Sequence, residues 1–228
     1  MVQEVTSKME RLHTLVIGPG LGRCPLVCEA TARIIQHAKK QKLALVLDAD
    51  ALWMLAQPPY RSLFENYNDA PVVLTPNVVE YKRLLAMSDD NENSNLLFQH
   101  ATIVKKGQHD AVMKNGKELL SCLEEGGKKR SGGIGDVLAG TLGTLVAWNV
   151  ILSSKRQKEQ NSNNNNDEED QRLALACWTA CCFVKQATKQ AFTEKKRSMT
   201  APDVLECLGP AIDRMTCEFD TDTPSSNL

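Results

Sequence analysis

The feature that most restricts the fold of this chain is a repeated order of a short apolar run, a turn-forming cluster and helix-spaced apolar residues. Leu12–Gly18 (LHTLVIG) stops at Gly-Pro-Gly-Leu-Gly, and Pro25–Lys40 then carries Leu26, Ala30, Ile34 and Ala38 at helical spacing. Leu43–Leu47 is apolar throughout, Asp48 and Asp50 follow it, and Ala51–Ala56 reads as helix. Val72–Thr75 ends at Pro76 and Asn77, before the amphipathic positions Val78, Tyr81, Leu84 and Leu85. Strand-length runs without polar alternation are buried on both faces, so the alternation with helices predicts parallel βαβ units. After Ala101 the strand-like segments close up, as Thr102–Lys105, Ala111–Met113 and Glu118–Leu123, with Asn115-Gly116 as a hairpin signal. The expected class is α/β: a mostly parallel central sheet flanked by helices on both faces, with an antiparallel edge.

In the second half, Val137, Leu138, Thr141, Leu145 and Trp148 predict a buried helix, with Ala139, Gly140 and Gly143 allowing close packing. Leu173–Phe192 and Asp203–Met215 read as the last helices. Ser153–Asp170 is polar and low in complexity and is expected as a disordered surface loop, and 217–228 as a flexible tail. Residues 1–228 are expected to form a single domain.

Composition removes several functions. Lys and Arg total 27 against 28 Asp and Glu, a net charge of -1, so no global field attracts nucleic acid or an anionic membrane. Uninterrupted apolar runs are far shorter than the ~20 residues that span a bilayer. The eight cysteines form no C-x-x-C pair, and Met1–Glu10 lacks the apolar stretch of a signal peptide, which predicts reduced thiols in an intracellular protein. Cytosol is the expected compartment; a mitochondrial form would need an upstream transit segment. Cys177, Cys181 and Cys182 are expected to pack in the core, since a buried free thiol behaves as a small hydrophobe.

In open α/β sheets, ligands bind beyond the carboxyl ends of the strands, where the Gly, Asp and Asn/Pro clusters of this chain fall. Gly126–Asp136 (GGKKRSGGIGD) precedes the helix that begins near Ile134. Consecutive glycine N–H groups and a helix N-terminus make an anion site, with Lys128, Lys129 and Arg130 adding charge at its entrance. Asp136 would be a first-turn cap or a base beside the phosphate. Asn77 and Glu80, three apart, match a capping box and equally an amide and carboxylate that place hydrated Mg²⁺ and phosphate oxygens. Lys106-Gly107-Gln108-His109-Asp110 reads as a polar turn or as a nucleotide-holding segment. Gly18–Gly22 lacks the G-x-G-x-x-G spacing of a dinucleotide turn, and no Walker A sequence occurs.

In order, HTLVIGPGLGR, LVLDADALWML, VVLTPNVVEYKRL, TIVKKGQHD and GGKKRSGGIGDVLAGTLGTLVAW closely resemble the ATP-dependent (S)-NAD(P)H-hydrate dehydratases of the ribokinase-like superfamily. The resemblance runs from about Leu12 to Asp213 and includes Arg197-Ser198-Met199-Thr200. It implies a ribokinase-like fold and ATP-dependent removal of water from (6S)-NADHX and (6S)-NADPHX, the hydrated reduced nicotinamide cofactors, with Mg²⁺ and ATP. It implies small-molecule partners, NADHX or NADPHX and ATP, with self-association left open. Carried over by position, it implies hydrate binding by Gly20, Asn77, Val78, Val79, Glu80, Tyr81, Lys82, Arg83 and Asp136. ATP would be held by Lys106, Gly107, Gln108, His109 and Asp110, and by Gly126, Gly127, Lys128, Lys129, Arg130, Ser131, Gly132, Gly133, Ile134 and Gly135. Asp136 would be the catalytic base; no protein metal ligand is implied. Against the family pattern, this sequence begins eleven residues before Leu12, and Met87–Leu96 is short. An N-terminally shortened sheet with an open edge is therefore expected. Alternatives are a ribokinase-like small-molecule kinase and an inactive truncated nucleotide-binding form.

Overall fold

The computed structural model describes residues 2–64, 67, 69–88, 100–160 and 166–217. Six strands, β1 (Thr14–Ile17), β2 (Ala44–Leu47), β3 (Val72–Leu74), β4 (Thr102–Lys105), β5 (Asp110–Lys114) and β6 (Lys117–Cys122), form one sheet in the order β1-β2-β3-β4-β5-β6. β1 to β4 are parallel, and β5 and β6 add antiparallel pairs. The helices are α1 (Val2–Thr6), α2 (Pro25–Lys40), α3 (Ala49–Leu55), α4 (Pro58–Arg61), α5 (Val78–Ser88), α6 (Ile134–Gln160), α7 (Asn166–Lys195) and α8 (Ala201–Cys217).

The two faces follow from the two-residue period of the strands. Leu45 and Leu47, with Leu74 and Ile103, cluster with Ile35 and Ala38 of α2, Leu52 and Leu55 of α3 and Leu84 of α5. Ala44, Val46, Val73, Val104 and Val112 face the other way, onto Leu138, Leu142 and Val146 of α6 and Cys177, Ala180 and Val184 of α7. Crossovers that keep one hand while the strand order advances in one direction put their helices on one face. The opposite face is left to the helices after the hairpin. α8 closes that layer through Val204, Cys207 and Ala211 against Ala187, Ala191 and Met199. The expected sheet, flanking helices and antiparallel edge all form. Asn115 and Gly116 have φ of 51° and 73°, the paired positive values of a two-residue hairpin turn, between the partners Lys114 and Lys117. β1 is an edge strand, and its Val16 is 40% exposed.

Three expectations are corrected. Trp148 is 58% exposed, because the buried stripe of α6 runs through Leu138, Ala139, Leu142 and Val146. Gly143 does seat the helix closely, since a Cβ there would lie 2.5 Å from Val16 Cγ2, but Gly140 faces open space. The polar segment 153–170 is helical at both ends, as α6 runs to Gln160 and α7 starts at Asn166. Its Lys, Arg, Gln and Glu residues are good helix formers, and Asp167, Glu168 and Glu169 complement the α7 N-terminus. Asp170 pairs with Lys114 at 3.1 Å. Residues 161–165, and 218–228 of the expected tail, lie outside the described residues, while Cys217 ends α8. Ile134–Arg156 is also long and apolar enough to cross a membrane by length and composition alone, a test that a core helix passes as well. Its uninterrupted runs are short because Gly, Thr and Asp136 break them, while the Ile, Val, Leu and Ala residues keep the mean hydropathy high. One face of this helix covers the sheet.

Candidate active site

The carboxyl ends of β1 to β4 bring four motif segments to one rim. The glycine turn leaves β1, Asp48 ends β2, and Asn77 and Lys106 follow β3 and β4. Asn77 and Lys106 form a parallel bridge, and Lys106 N–H donates to Pro76 O at 2.8 Å. Gly18 is required by contact as well as conformation: its φ is 126°, and a Cβ would lie 1.7 Å from Asp48 O. Further along the turn, Asp50 accepts from Gly22 N–H and from Arg23 Nε, both at 3.0 Å. The Arg23 guanidinium lies 4.9 Å from the centre of the Trp53 ring. The loop carrying Gly20 is thereby fastened to α3.

At the centre, Lys106 Nζ donates to Asp48 Oδ1 at 2.6 Å, with the Asp48 side chain 2% exposed and that of Lys106 21%. Both stand at the N-terminus of α6: a Cβ on Gly135 would lie 3.7 Å from Asp48 Oδ2 and from Lys106 Nζ. In that first turn, Ile134 donates to Ser131 O, and Asp136 and Val137 donate to Gly133 O. The N–H groups of Gly132, Gly133 and Gly135 have no backbone acceptor among the described residues. Free N–H groups, the helix dipole and an ammonium converge there, the arrangement that binds a phosphate. Asp136 is exposed at the mouth of an apolar groove of about 420 Å³, which runs along α6 past Thr141 and Trp148 and is walled by Leu205 and Ile212 of α8.

Asn77 and Glu80 form a capping box. Asn77 Oδ1 accepts from Val79 and Glu80 N–H at 2.9 and 3.0 Å, and Glu80 Oε2 accepts from Asn77 N–H at 2.8 Å. The capping-box alternative is thus realised, with one Glu80 oxygen committed to it. Val78 and Val79 are 51% and 65% exposed on the rim, as are Lys82 and Arg83, while Tyr81 is half-buried with Lys105 Nζ 5.5 Å from its ring centre. In the segment 106–110, buried Asp110 accepts from Gly107 N–H at 2.8 Å. Lys185 of α7 donates to Gly107 O and Gln108 O at 3.2 and 2.7 Å and lies 3.5 Å from Asp110 Oδ2. The turn is held from below, and Gln108 and His109 are left exposed.

Gly126 and Gly127 serve packing. Gly127 N–H donates to Thr188 Oγ1 at 3.0 Å, and Cβ atoms at the two positions would lie 2.9 Å from Thr188 Oγ1 and 2.5 Å from Thr188 O. Of the expected basic entrance, Lys128 and Arg130 are exposed, whereas half-buried Lys129 donates to Met199 O at 2.6 Å and ties down the Arg197–Thr200 segment. Next to Met199, the Thr200 hydroxyl and N–H both donate to Asp203 Oδ2 at 2.7 Å and hold that carboxyl below its ordinary range. Sequence reasoning gave no role to Asp48, Asp50 or Lys185. The two aspartates had a signal, since they follow a wholly apolar strand at its carboxyl end. Lys185 had none, because only tertiary contact brings it beneath the turn.

The model of the family described as NAD(P)H-hydrate dehydratase matches residues 1–209. The chain is 36% identical over 225 residues to the ATP-dependent (S)-NAD(P)H-hydrate dehydratase of Mus musculus, covering 94% of this chain and 61% of that protein. The Homo sapiens enzyme of that name is also 36% identical, with 94% and 60% covered. The chain thus spans about 60% of the length of the curated relatives it matches. Among solved structures, it superposes on a hypothetical protein from Streptococcus mutans with a TM-score of 0.62, at 16% identity, over 94% of this chain and 70% of that one. It superposes on the Bacillus subtilis ADP/ATP-dependent NAD(P)H-hydrate dehydratase co-crystallized with ATP/Mg²⁺ with a TM-score of 0.55, at 18% identity, over 93% and 69%. These two likenesses establish the fold.

Proposed function

We propose that this chain, which belongs to the NAD(P)H-hydrate dehydratase family, dehydrates (6S)-NADHX and (6S)-NADPHX at the expense of ATP, giving NADH or NADPH, ADP and phosphate. The observation that carries the reading is the meeting of Lys106, the open first turn of α6 and Asp136 at one rim. A γ-phosphoryl group placed on the Gly132, Gly133 and Gly135 N–H groups would have the Lys106 ammonium on one side and Asp136 one residue along the helix.

The chemistry then follows. Asp136 takes the proton of the C6 hydroxyl while that oxygen attacks the γ-phosphorus and ADP leaves. The glycine amides and Lys106 meet the charge on the transferring group. The C6–O bond breaks with its electron pair going to phosphate, driven by the ring nitrogen lone pair, and loss of a C5 proton restores the dihydropyridine. The net change is loss of water from the ring. Glu80 has one carboxylate oxygen outside its capping bond, and with Asn77 at the same rim it fits the few protein contacts that a hydrated Mg²⁺ needs. When bound, Mg²⁺ neutralises phosphate charge.

The test mixes purified protein, Mg-ATP and hydrated NADH, and follows reduced-nicotinamide absorbance and phosphate release together. Both rise in step, and only with ATP, if the reading holds; a stable phosphorylated product would mark a kinase instead. Asp136→Asn is expected to lower turnover by about 10²-fold or more while leaving ATP affinity nearly intact, and unchanged turnover would remove the base from Asp136.

A further inference from the structure

Asp48 is the N-cap residue of α3, and aspartate is among the best N-cap side chains, yet it makes no side-chain capping bond. Its carboxylate turns instead into the rim and takes Lys106 Nζ at 2.6 Å. The backbone goes with it: Ala49, the next residue, has φ 46°, in the left-handed region that a residue with a Cβ adopts only under constraint. A capping bond given up, a strained neighbour and a carboxylate 2% exposed are three departures from local preference at one residue. All three coincide at the same contact.

That contact lies where three motif segments meet. Asp48 O closes against Gly18 of the glycine turn, Asp48 Oδ1 holds Lys106 of the 106–110 segment, and Asp48 Oδ2 faces Gly135 at the start of α6. A lysine side chain has four rotatable bonds, so by itself it does not define where its charge sits. With Asp48 behind it, the ammonium is fixed 3.7 Å from the space beside Gly135, and its other two N–H groups have no acceptor among the described residues. From this geometry we infer that Asp48 is a positioning residue: it anchors the Lys106 ammonium at the α6 N-terminus so that the remaining donors meet the terminal phosphate of ATP. The inference rests on the ATP-dependent reading of the same rim.

The test is a double-mutant cycle on the full chain, reading Mg-ATP affinity by titration calorimetry and stability by thermal melting, for wild type, Asp48→Asn, Lys106→Met and the pair combined. Each single change strips one partner from a buried ion pair and lowers the melting temperature, whereas the combined change leaves no unpaired charge and recovers much of the loss. Affinity behaves differently if Asp48 acts through Lys106. Lys106→Met weakens Mg-ATP by about tenfold or more, and Asp48→Asn weakens it in part. The combined variant matches Lys106→Met within about twofold, despite its recovered stability. Asp48→Glu keeps the charge and the fold but displaces the ammonium, and it also weakens binding. The inference is overturned if Asp48→Asn and Asp48→Glu bind Mg-ATP as wild type does, or if the two losses multiply in the combined variant. A wild-type protein that binds no Mg-ATP overturns the dehydratase reading and this inference together, whereas a binding wild type with an additive cycle sinks this inference alone.

Discussion

Gly135→Ala separates the fold from the site at a single atom. Gly135 is the second residue of α6, and its φ lies outside the left-handed region. A Cβ there meets only Asp48 Oδ2 and Lys106 Nζ, both at 3.7 Å, which is ordinary van der Waals contact. The methyl group therefore enters without displacing a neighbour, and the change from glycine to alanine in a helix is worth about 0.5 to 1 kcal/mol. For a chain of this length that is about 1 to 4 °C in melting temperature, upward. The same methyl occupies the approach of an anion to the Gly135 N–H and to Lys106, so the stabilised protein is expected to lose at least about tenfold in Mg-ATP affinity through one charge-assisted contact. Thermal melting in the absence of nucleotide and calorimetric titration of Mg-ATP, on one preparation, supply the two numbers. A melting temperature that falls by several degrees would show the clearance around Gly135 to be wrong. Wild-type nucleotide affinity in the variant would show that the phosphate does not sit on the first turn of α6.

Two further expectations concern the rest of the molecule. Ellman's reagent is expected to label Cys24 and Cys217 quickly in the native protein and the other six of the eight thiols only on unfolding, because Cys28, Cys122, Cys177, Cys181, Cys182 and Cys207 are buried; burial pushes Cys177 up to about 12. Four or more fast thiols would contradict the burial of these six cysteines. The Asp203 carboxyl lies below its ordinary 3.8, first through the Thr200 hydroxyl and then through the Thr200 N–H, so its contribution is fully present above pH 3.8 and is lost as pH falls through the lower folded value. Asp203→Asn should therefore flatten the acid limb of the stability curve below that pH and leave its slope near neutrality unchanged; equal acid limbs in the two proteins would refute the assignment.

The fold was legible wherever local pattern and tertiary role agree. Leu45 and Leu47 point to one face and Ala44 and Val46 to the other, and because both faces are buried the run is apolar throughout, which is what marked a parallel strand. Asn115-Gly116 encodes its own geometry in two positive φ values. What misled was polarity read as disorder: 153–160 and 166–170 are helical because long charged side chains favour a helix without needing burial. Trp148 misled for a related reason, since an apolar residue on helical spacing says nothing about which stripe meets the sheet, and the small residues Ala139 and Gly143 decide that. At the site, motif position indicated the rim, but the division of labour within each motif was not readable. Gly127 and Gly135 look alike in sequence, yet one packs against Thr188 and the other leaves room beside Lys106.

The residues left without a role show why. Asp48 and Lys106 are 58 positions apart, and Lys185 is 77 from the carbonyl it holds at 2.7 Å. Sequence spacing reports contacts within one helix or hairpin, whereas a rim built from successive parallel strands places each loop beside loops a whole βαβ unit away. Of the positions that resemble hydrate-binding ones, Gly20 and 77–83 come from the β1–β3 half of the sheet, whereas Asp136 lies in α6. Those that resemble ATP-binding ones follow β4 and enter α6. Among the described ion pairs, Asp48–Lys106 is the one that bridges β2 and β4 across the rim, over the end of β3. If the rim carries the proposed transfer, a charge pair in that place would help hold the two groups of segments in register, and positioning of hydroxyl and phosphorus is, with electrostatic stabilisation, what phosphoryl transfer rests on. The strain at Ala49 and the forfeited cap of α3 are then local costs of a contact whose benefit lies in the geometry of the whole rim.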